Sequence, residues 1–75
     1  METEHHYTIP TITVILQPQE KTISLPRPKT VLQLLGKLGI RRGTALVIRD
    51  GELLTQDRAI LKDDVITVRI VTSSG

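Results

Sequence analysis

The sequence predicts an α+β fold: a mixed sheet of four to five strands with one main helix packed on one face. Two observations carry this. Apolar residues alternate with polar ones in stretches at both ends of the chain, the period of a half-buried strand. Between them lies one short stretch with apolar residues at helical spacing. The 75 residues allow a single domain, expected over residues 11–71, after a flexible leader (1–10) and before a flexible tail (72–75).

The leader METEHHYTIP shows no periodicity and ends in proline. Order is expected from Thr11, where Ile12, Val14 and Leu16 alternate with Thr11, Thr13 and Ile15. Pro18-Gln19 suits a turn, and Lys21 to Leu25 alternates again, so the two stretches read as a hairpin. Pro26-Arg27-Pro28 then breaks the sheet, since neither proline can donate a ladder hydrogen bond. Thr30 with Gln33 three residues on is a capping-box signature. Val31, Leu34, Leu35 and Leu38 recur at i, i+3, i+4 and i+7, and Gly39 stands where a left-handed cap is wanted.

Residues 44–49 read as a third strand, turned by Asp50-Gly51, a strong two-residue hairpin signal, into a short fourth at 52–54. Residues 56–61 read as a loop with a helical turn that buries Ile60 or Leu61. Lys62-Asp63-Asp64 makes a charged turn, and residues 65–71 form a long last strand. On it Ile66, Val68 and Ile70 share one face, and Thr67, Arg69 and Val71 the other. The helix face should cover Ile12, Val14, Leu16, Ile23, Leu25, Val47, Ile66, Val68 and Ile70, with the last strand parallel beside the first. One short helix cannot cover both faces of the sheet, so one face stays partly open. This order is the β-grasp, or ubiquitin-like, arrangement.

Composition narrows the function. With no cysteine there is no disulfide framework, no Cys-type zinc site and no thiol nucleophile. The two histidines, His5 and His6, fall in the leader, away from any Ser or Asp of the folded part, and two adjacent histidines alone do not make a metal site. Asp63-Asp64 reads as a turn former, and the isolated Gly39, Gly43 and Gly51 make no phosphate-binding loop. A stand-alone enzyme is therefore not expected, nor a bound metal. Apolar stretches are short and interrupted by charge, so no membrane span is expected. The polar, acidic start is unlike a secretory signal, and the expected compartment is the cytoplasm.

Net charge is +2, but no acid falls between Glu20 and Asp50, where Lys21, Arg27, Lys29, Lys37, Arg41, Arg42 and Arg49 are basic. Such a run suits a solvated surface or a face that steers an acidic partner or RNA. Tyr7 is the only Phe, Trp or Tyr, so the stacking platform of single-strand binders is missing and direct sequence-specific nucleic-acid binding is not expected. Two features are left. Ile15, Leu46, Ile48 and Val71 point away from the core by alternation and form a candidate docking face, with Arg49 and Arg69 able to rim it. The second is the tail Thr72-Ser73-Ser74-Gly75, small and uncharged, which follows directly on the last strand.

From Thr11 onward the chain resembles the ubiquitin-like sulfur carriers of the ThiS/MoaD type. The resemblance rests on Thr30-Val31-Leu32-x-Leu34-Leu35-x-x-Leu38-Gly39, Val47-x-x-Asp50-Gly51-Glu52, Leu61-Lys62-Asp63-Asp64 and the small tail. Gly51-Glu52-Leu53-Leu54-Thr55 looks most like the carriers that serve tRNA 2-thiouridine synthesis. The resemblance implies that an E1-like adenylating enzyme joins the Gly75 carboxylate to AMP, with ATP and magnesium held by that enzyme and no cofactor bound by the carrier. A sulfurtransferase or cysteine desulfurase would supply the persulfide that makes the thiocarboxylate. The acceptor would be a tRNA thiolation enzyme, a thiazole synthase or a molybdopterin synthase. Family members usually end in Gly-Gly, whereas Ser74 precedes Gly75 here and disfavours any φ > 0 geometry at that position. Two other readings stay open: a ubiquitin-like modifier joined to lysines through Gly75, and a β-grasp interaction domain without conjugation.

Overall fold

A computed structural model describes residues 9–41 and 43–71. The leader residues His5, His6 and Tyr7, Arg42, and the tail residues Thr72, Ser73, Ser74 and Gly75 lie outside the described residues.

The alternation in the first stretch forms strand β1 (Thr11–Gln17), with Ile12 and Val14 fully buried. A turn leads to β2 (Lys21–Pro26), antiparallel to β1 from Thr11↔Pro26 to Leu16↔Lys21. Pro26 is tolerated because it closes an edge strand, where no further ladder bond needs its missing N–H.

Helix α1 (Val31–Leu38) begins at Thr30, whose extended backbone and side-chain oxygen cap it: the Gln33 N–H donates to Thr30 Oγ1 at 3.3 Å. A reciprocal capping box would bring the Gln33 side chain back to the Thr30 N–H. Here its Oε1 instead accepts from the Lys29 N–H at 3.0 Å. Two further first-turn donors find partners outside the helix. The Val31 N–H donates to the Arg58 carbonyl (3.1 Å) and the Leu32 N–H to the Gln56 carbonyl (3.0 Å), so residues 56–58 cap the helix start. At the other end Gly39 adopts φ 71°, its N–H bonds the Gly36 carbonyl, and the Ile40 N–H reaches the Leu35 carbonyl at 2.9 Å. That pair of bonds is a Schellman motif, closed by Ile40 packing against the core.

Strand β3 (Ala45–Arg49) turns at Asp50 (φ 53°) and Gly51 (φ 77°), both left-handed as a type I′ hairpin requires. Strand β4 (Glu52–Leu53) is short, and Leu54 follows it with its N–H on the Val47 carbonyl at 2.8 Å. No helix forms at 56–61, only a single hydrogen-bonded turn, in which the Arg58 N–H donates to the Thr55 carbonyl at 3.1 Å. The Gln56 and Arg58 carbonyls serve α1, and the Ile60 N–H donates to the Lys29 carbonyl, so these groups bond across to another segment instead. Ile60 is the buried anchor and Leu61 is 60% exposed.

Strand β5 (Val65–Ile70) lies parallel to β1, with Val14 beside Ile66 and Leu16 beside Val68, and antiparallel to β3. The sheet order is β2-β1-β5-β3-β4, a mixed five-stranded sheet with α1, and the chain is α+β as expected. The core joins Ile12, Val14, Val47, Ile66 and Val68 to Val31, Leu34 and Leu35, with Leu54 and Ile60 from the connections. Leu16, Ile23, Leu25, Leu38 and Ile70 are partly buried against it. Among the described residues no helix is long and apolar enough to cross a membrane.

Ile60→Ala should lower unfolding free energy by about 3 kcal/mol in urea titration, since a fully buried branched side chain is removed. Leu61→Ala should change it by about 0.5 kcal/mol or less.

Candidate functional site

The side of the sheet opposite the core is fixed by register. Pairing aligns Ile15 of β1 with Thr67 of β5, Thr67 with Ile48 of β3, and Ile48 with Leu53 of β4. Cross-strand partners share a face, so these four side chains form one row across the sheet. The next row holds Gln17, Arg69 and Leu46, and the row on the other side holds Thr13 and Val65. Val71 continues past β5, its N–H bonded to the Thr44 carbonyl at 2.9 Å.

Ile15 and Ile48 are half-buried in this surface, Leu46 is 39% exposed and Val71 38%. The row arrangement brings Ile15 and Ile48 to either side of Thr67 and sets Leu46 beside Arg69. Leu53 and Val65, both more than half exposed, belong to the same face and were not among the residues singled out from the sequence. Both were reachable. The two-residue Asp50-Gly51 turn fixes Leu53 opposite Ile48, and Val65 has the parity of Thr67 and Arg69.

Arg69 is exposed on this face, its Nε donating to Gln17 Oε1 at 3.1 Å. Arg49 is not its counterpart. The alternation that buries Val47 puts Arg49 on the helix side, and its Nη1 donates to Asp64 Oδ2 at 2.8 Å and to the Ala59 carbonyl at 3.2 Å. Both side chains of that ion pair are only 16% exposed. Arg49 therefore does not rim the open face. Asp64 also accepts the Leu61 N–H at 2.9 Å, so it does more than form a turn: it ties β3, the 59–61 segment and the start of β5 together.

Elsewhere, the Thr55 hydroxyl donates to Asp57 at 2.6 Å and holds that exposed carboxyl below its usual range, helped by its own backbone N–H and Arg58. Among the described residues no three His, Cys, Asp or Glu side chains are grouped to hold a metal ion. What the described surface offers is a flat aliphatic patch with polar neighbours, suited to burying area against a partner. Compared with protein-family models and with curated proteins, the chain matches none.

A double-mutant cycle on Arg49 and Asp64 should give a coupling energy of about 1–2 kcal/mol, because a charge-assisted bond is made where water is largely excluded. The same cycle on Arg69 and Asp64 should give about zero.

Proposed function

We propose that this chain is a sulfur carrier of β-grasp, ubiquitin-like fold that works through its Gly75 carboxylate. The observation that supports the reading most is the sheet order: first and last strands paired in parallel at its centre, one helix on one face and an aliphatic patch on the other. The stretches that resemble the ThiS/MoaD-type carriers fall on the capped helix, the Asp50-Gly51 turn and the Asp63-Asp64 turn of that frame.

In this reading a Gly75 carboxylate oxygen attacks the α-phosphorus of ATP on an E1-like partner, and pyrophosphate leaves. A carboxylate is a poor acyl donor, and AMP supplies the leaving group. Persulfide sulfur then attacks the acyl carbon and AMP departs. Reductive cleavage of the resulting S–S bond by a thiol leaves the thiocarboxylate. Thr72, Ser73 and Ser74 are small enough to thread a narrow channel to the partner's active site. Ile15, Leu46, Ile48 and Val71, joined by Leu53 and Val65, dock the partner, with Arg69 beside them. The preferred acceptor is a tRNA-thiolating enzyme.

Intact mass of the chain incubated with a cognate adenylating enzyme, Mg-ATP and a persulfide donor should rise by the difference between sulfur and oxygen. With an adenylating enzyme shown to be active on another carrier, an unchanged mass refutes the proposal. Heavier adducts on other proteins that vanish on deletion of Gly75 would favour a protein modifier instead. Ser74→Gly should speed the conversion. Leu46→Asp should raise KM for the carrier by about tenfold while leaving kcat and Tm nearly unchanged, because an exposed aliphatic side chain would no longer pack against the docked partner.

A further inference from the structure

One end of the sheet gathers cations that no acid answers. β1 closes there at Gln17, beside Arg69 of β5, and β2 opens there with Lys21 opposite Leu16. β3 opens at the same end, where Ala45 pairs with Ile70. Thr44 ties a further segment to it. Its N–H (3.2 Å) and its hydroxyl (2.6 Å) both donate to the Arg41 carbonyl, and its own carbonyl accepts the Val71 N–H. Val71 is the last described residue, and the chain runs on from it to Gly75. Arg69 just upstream and Arg41 across Thr44 therefore flank the strand end that leads to the terminal carboxylate.

Lys21, Arg41 and Arg69 are exposed, and none has an ionic partner among the described residues. At the opposite end of the sheet charges are answered: Arg49 bonds Asp64 at 2.8 Å, and Arg58 lies 3.8 Å from Glu52. Arg69 is also held in place. Gln17 Oε1 accepts from its Nε at 3.1 Å, which leaves both terminal nitrogens open to a carboxylate approaching end-on. Beside it a hollow of about 340 Å³, lined by Gln17, Pro18, Glu20, Arg69 and Ile70, has room for such a side chain. On its other flank Arg69 adjoins Leu46 and the row of Ile15, Thr67 and Ile48. Whatever meets this end must therefore be anionic beside an apolar surface. Aliphatic side chains give nucleic-acid bases no stacking platform, so the fit is to carboxylates of a protein.

We infer that Arg41 and Arg69 select the protein that receives the Gly75 carboxylate, by pairing with carboxylates that border the mouth of the channel the tail enters. Arg69 takes one carboxylate through its terminal nitrogens, and Arg41 meets another on the far side of Val71. Lys21 adds to the attraction at longer range, and Glu20, the one described acid at this end, opposes it. The identity of the partner rests on the sulfur-carrier reading; the inference adds the chemistry by which that partner is recognised.

The test follows thiocarboxylate formation by intact mass, with the full chain, a cognate adenylating enzyme, Mg-ATP and a persulfide donor. Arg69→Gln should raise KM for the carrier about tenfold and Arg41→Gln several-fold, with kcat and Tm nearly unchanged. Arg69→Lys should restore only part of the loss, because a point charge cannot pair end-on with two oxygens. Glu20→Gln should lower KM, and Lys62→Gln, at the opposite end of the sheet, should leave it unchanged. Added salt should raise KM of the natural chain and barely move that of the Arg41→Gln, Arg69→Gln double variant. A double variant with the KM of the natural chain overturns the inference and leaves the carrier reading standing, as does an equal loss from Lys62→Gln. Total tRNA retained on a filter by the natural chain but not by the double variant, with KM unmoved, would assign these cations to RNA instead. A natural chain left unconverted by an enzyme active on another carrier refutes the carrier reading and this inference with it.

Discussion

The parallel pairing of β1 with β5 is the constraint on which the rest of the molecule depends. Strands from opposite ends of the described chain become neighbours at the centre of the sheet, with Val14 beside Ile66 and Leu16 beside Val68. Parallel neighbours cannot be joined by a tight turn, so a long crossover must run between them. Here it holds β2, α1, β3 and β4, and α1 settles over the face that Ile12, Val14, Ile66 and Val68 make apolar. β2 and β3 then pair outward on either side of the central two strands. Asp63 and Asp64 lengthen the central pairing, the Asp63 N–H bonding the Thr11 carbonyl at 2.8 Å and the Thr13 N–H the Asp64 carbonyl at 2.9 Å.

The segment from Gln56 to Asp64 has no regular structure, yet it joins the layers. Its carbonyls cap the N-terminus of α1, Ile60 fills the core beneath, and the Ile60 carbonyl accepts from Arg27 Nη1 at 3.0 Å. Asp64 completes the tie through Arg49 and the Leu61 N–H. A loop of this kind satisfies polar groups that a helix start and a strand end would otherwise leave open.

Much of this was legible because short-range chemistry dictated it. Thr30 and Gly39 bracket the helix through caps that only a few residue types can make, and Asp50-Gly51 sets a hairpin register with no tertiary help. Alternation identified most of the open face. The misplacement of Arg49 came from setting charge above parity: two residues beyond buried Val47, it belongs to the helix side whatever its polarity. Leu53 and Val65 were missed as members of the patch because no face was assigned to so short a strand or to the first residue of a long one. The loop at 56–61 could not be read locally. Beyond its local turn bonds, its backbone groups pair with Lys29, Val31 and Leu32, and nothing in its own residues announces partners so far away in sequence.

In the proposed function these parts divide the work. A rigid sheet offers an aliphatic face for docking, and the reacting group sits beyond β5 at the terminal carboxylate, where no side chain of the carrier needs to do chemistry. With no cysteine in the chain, sulfur cannot be held on a thiol side chain, which suits a carrier that holds it at the terminal carbonyl carbon. ATP–pyrophosphate exchange by a cognate adenylating enzyme tests this most directly, comparing the natural chain with one whose Gly75 carboxylate has been converted chemically to an amide. Exchange supported by the natural chain and abolished by the amide is the expected result. Equal exchange with both, or none with the natural chain while the enzyme is demonstrably active on another carrier, would contradict it.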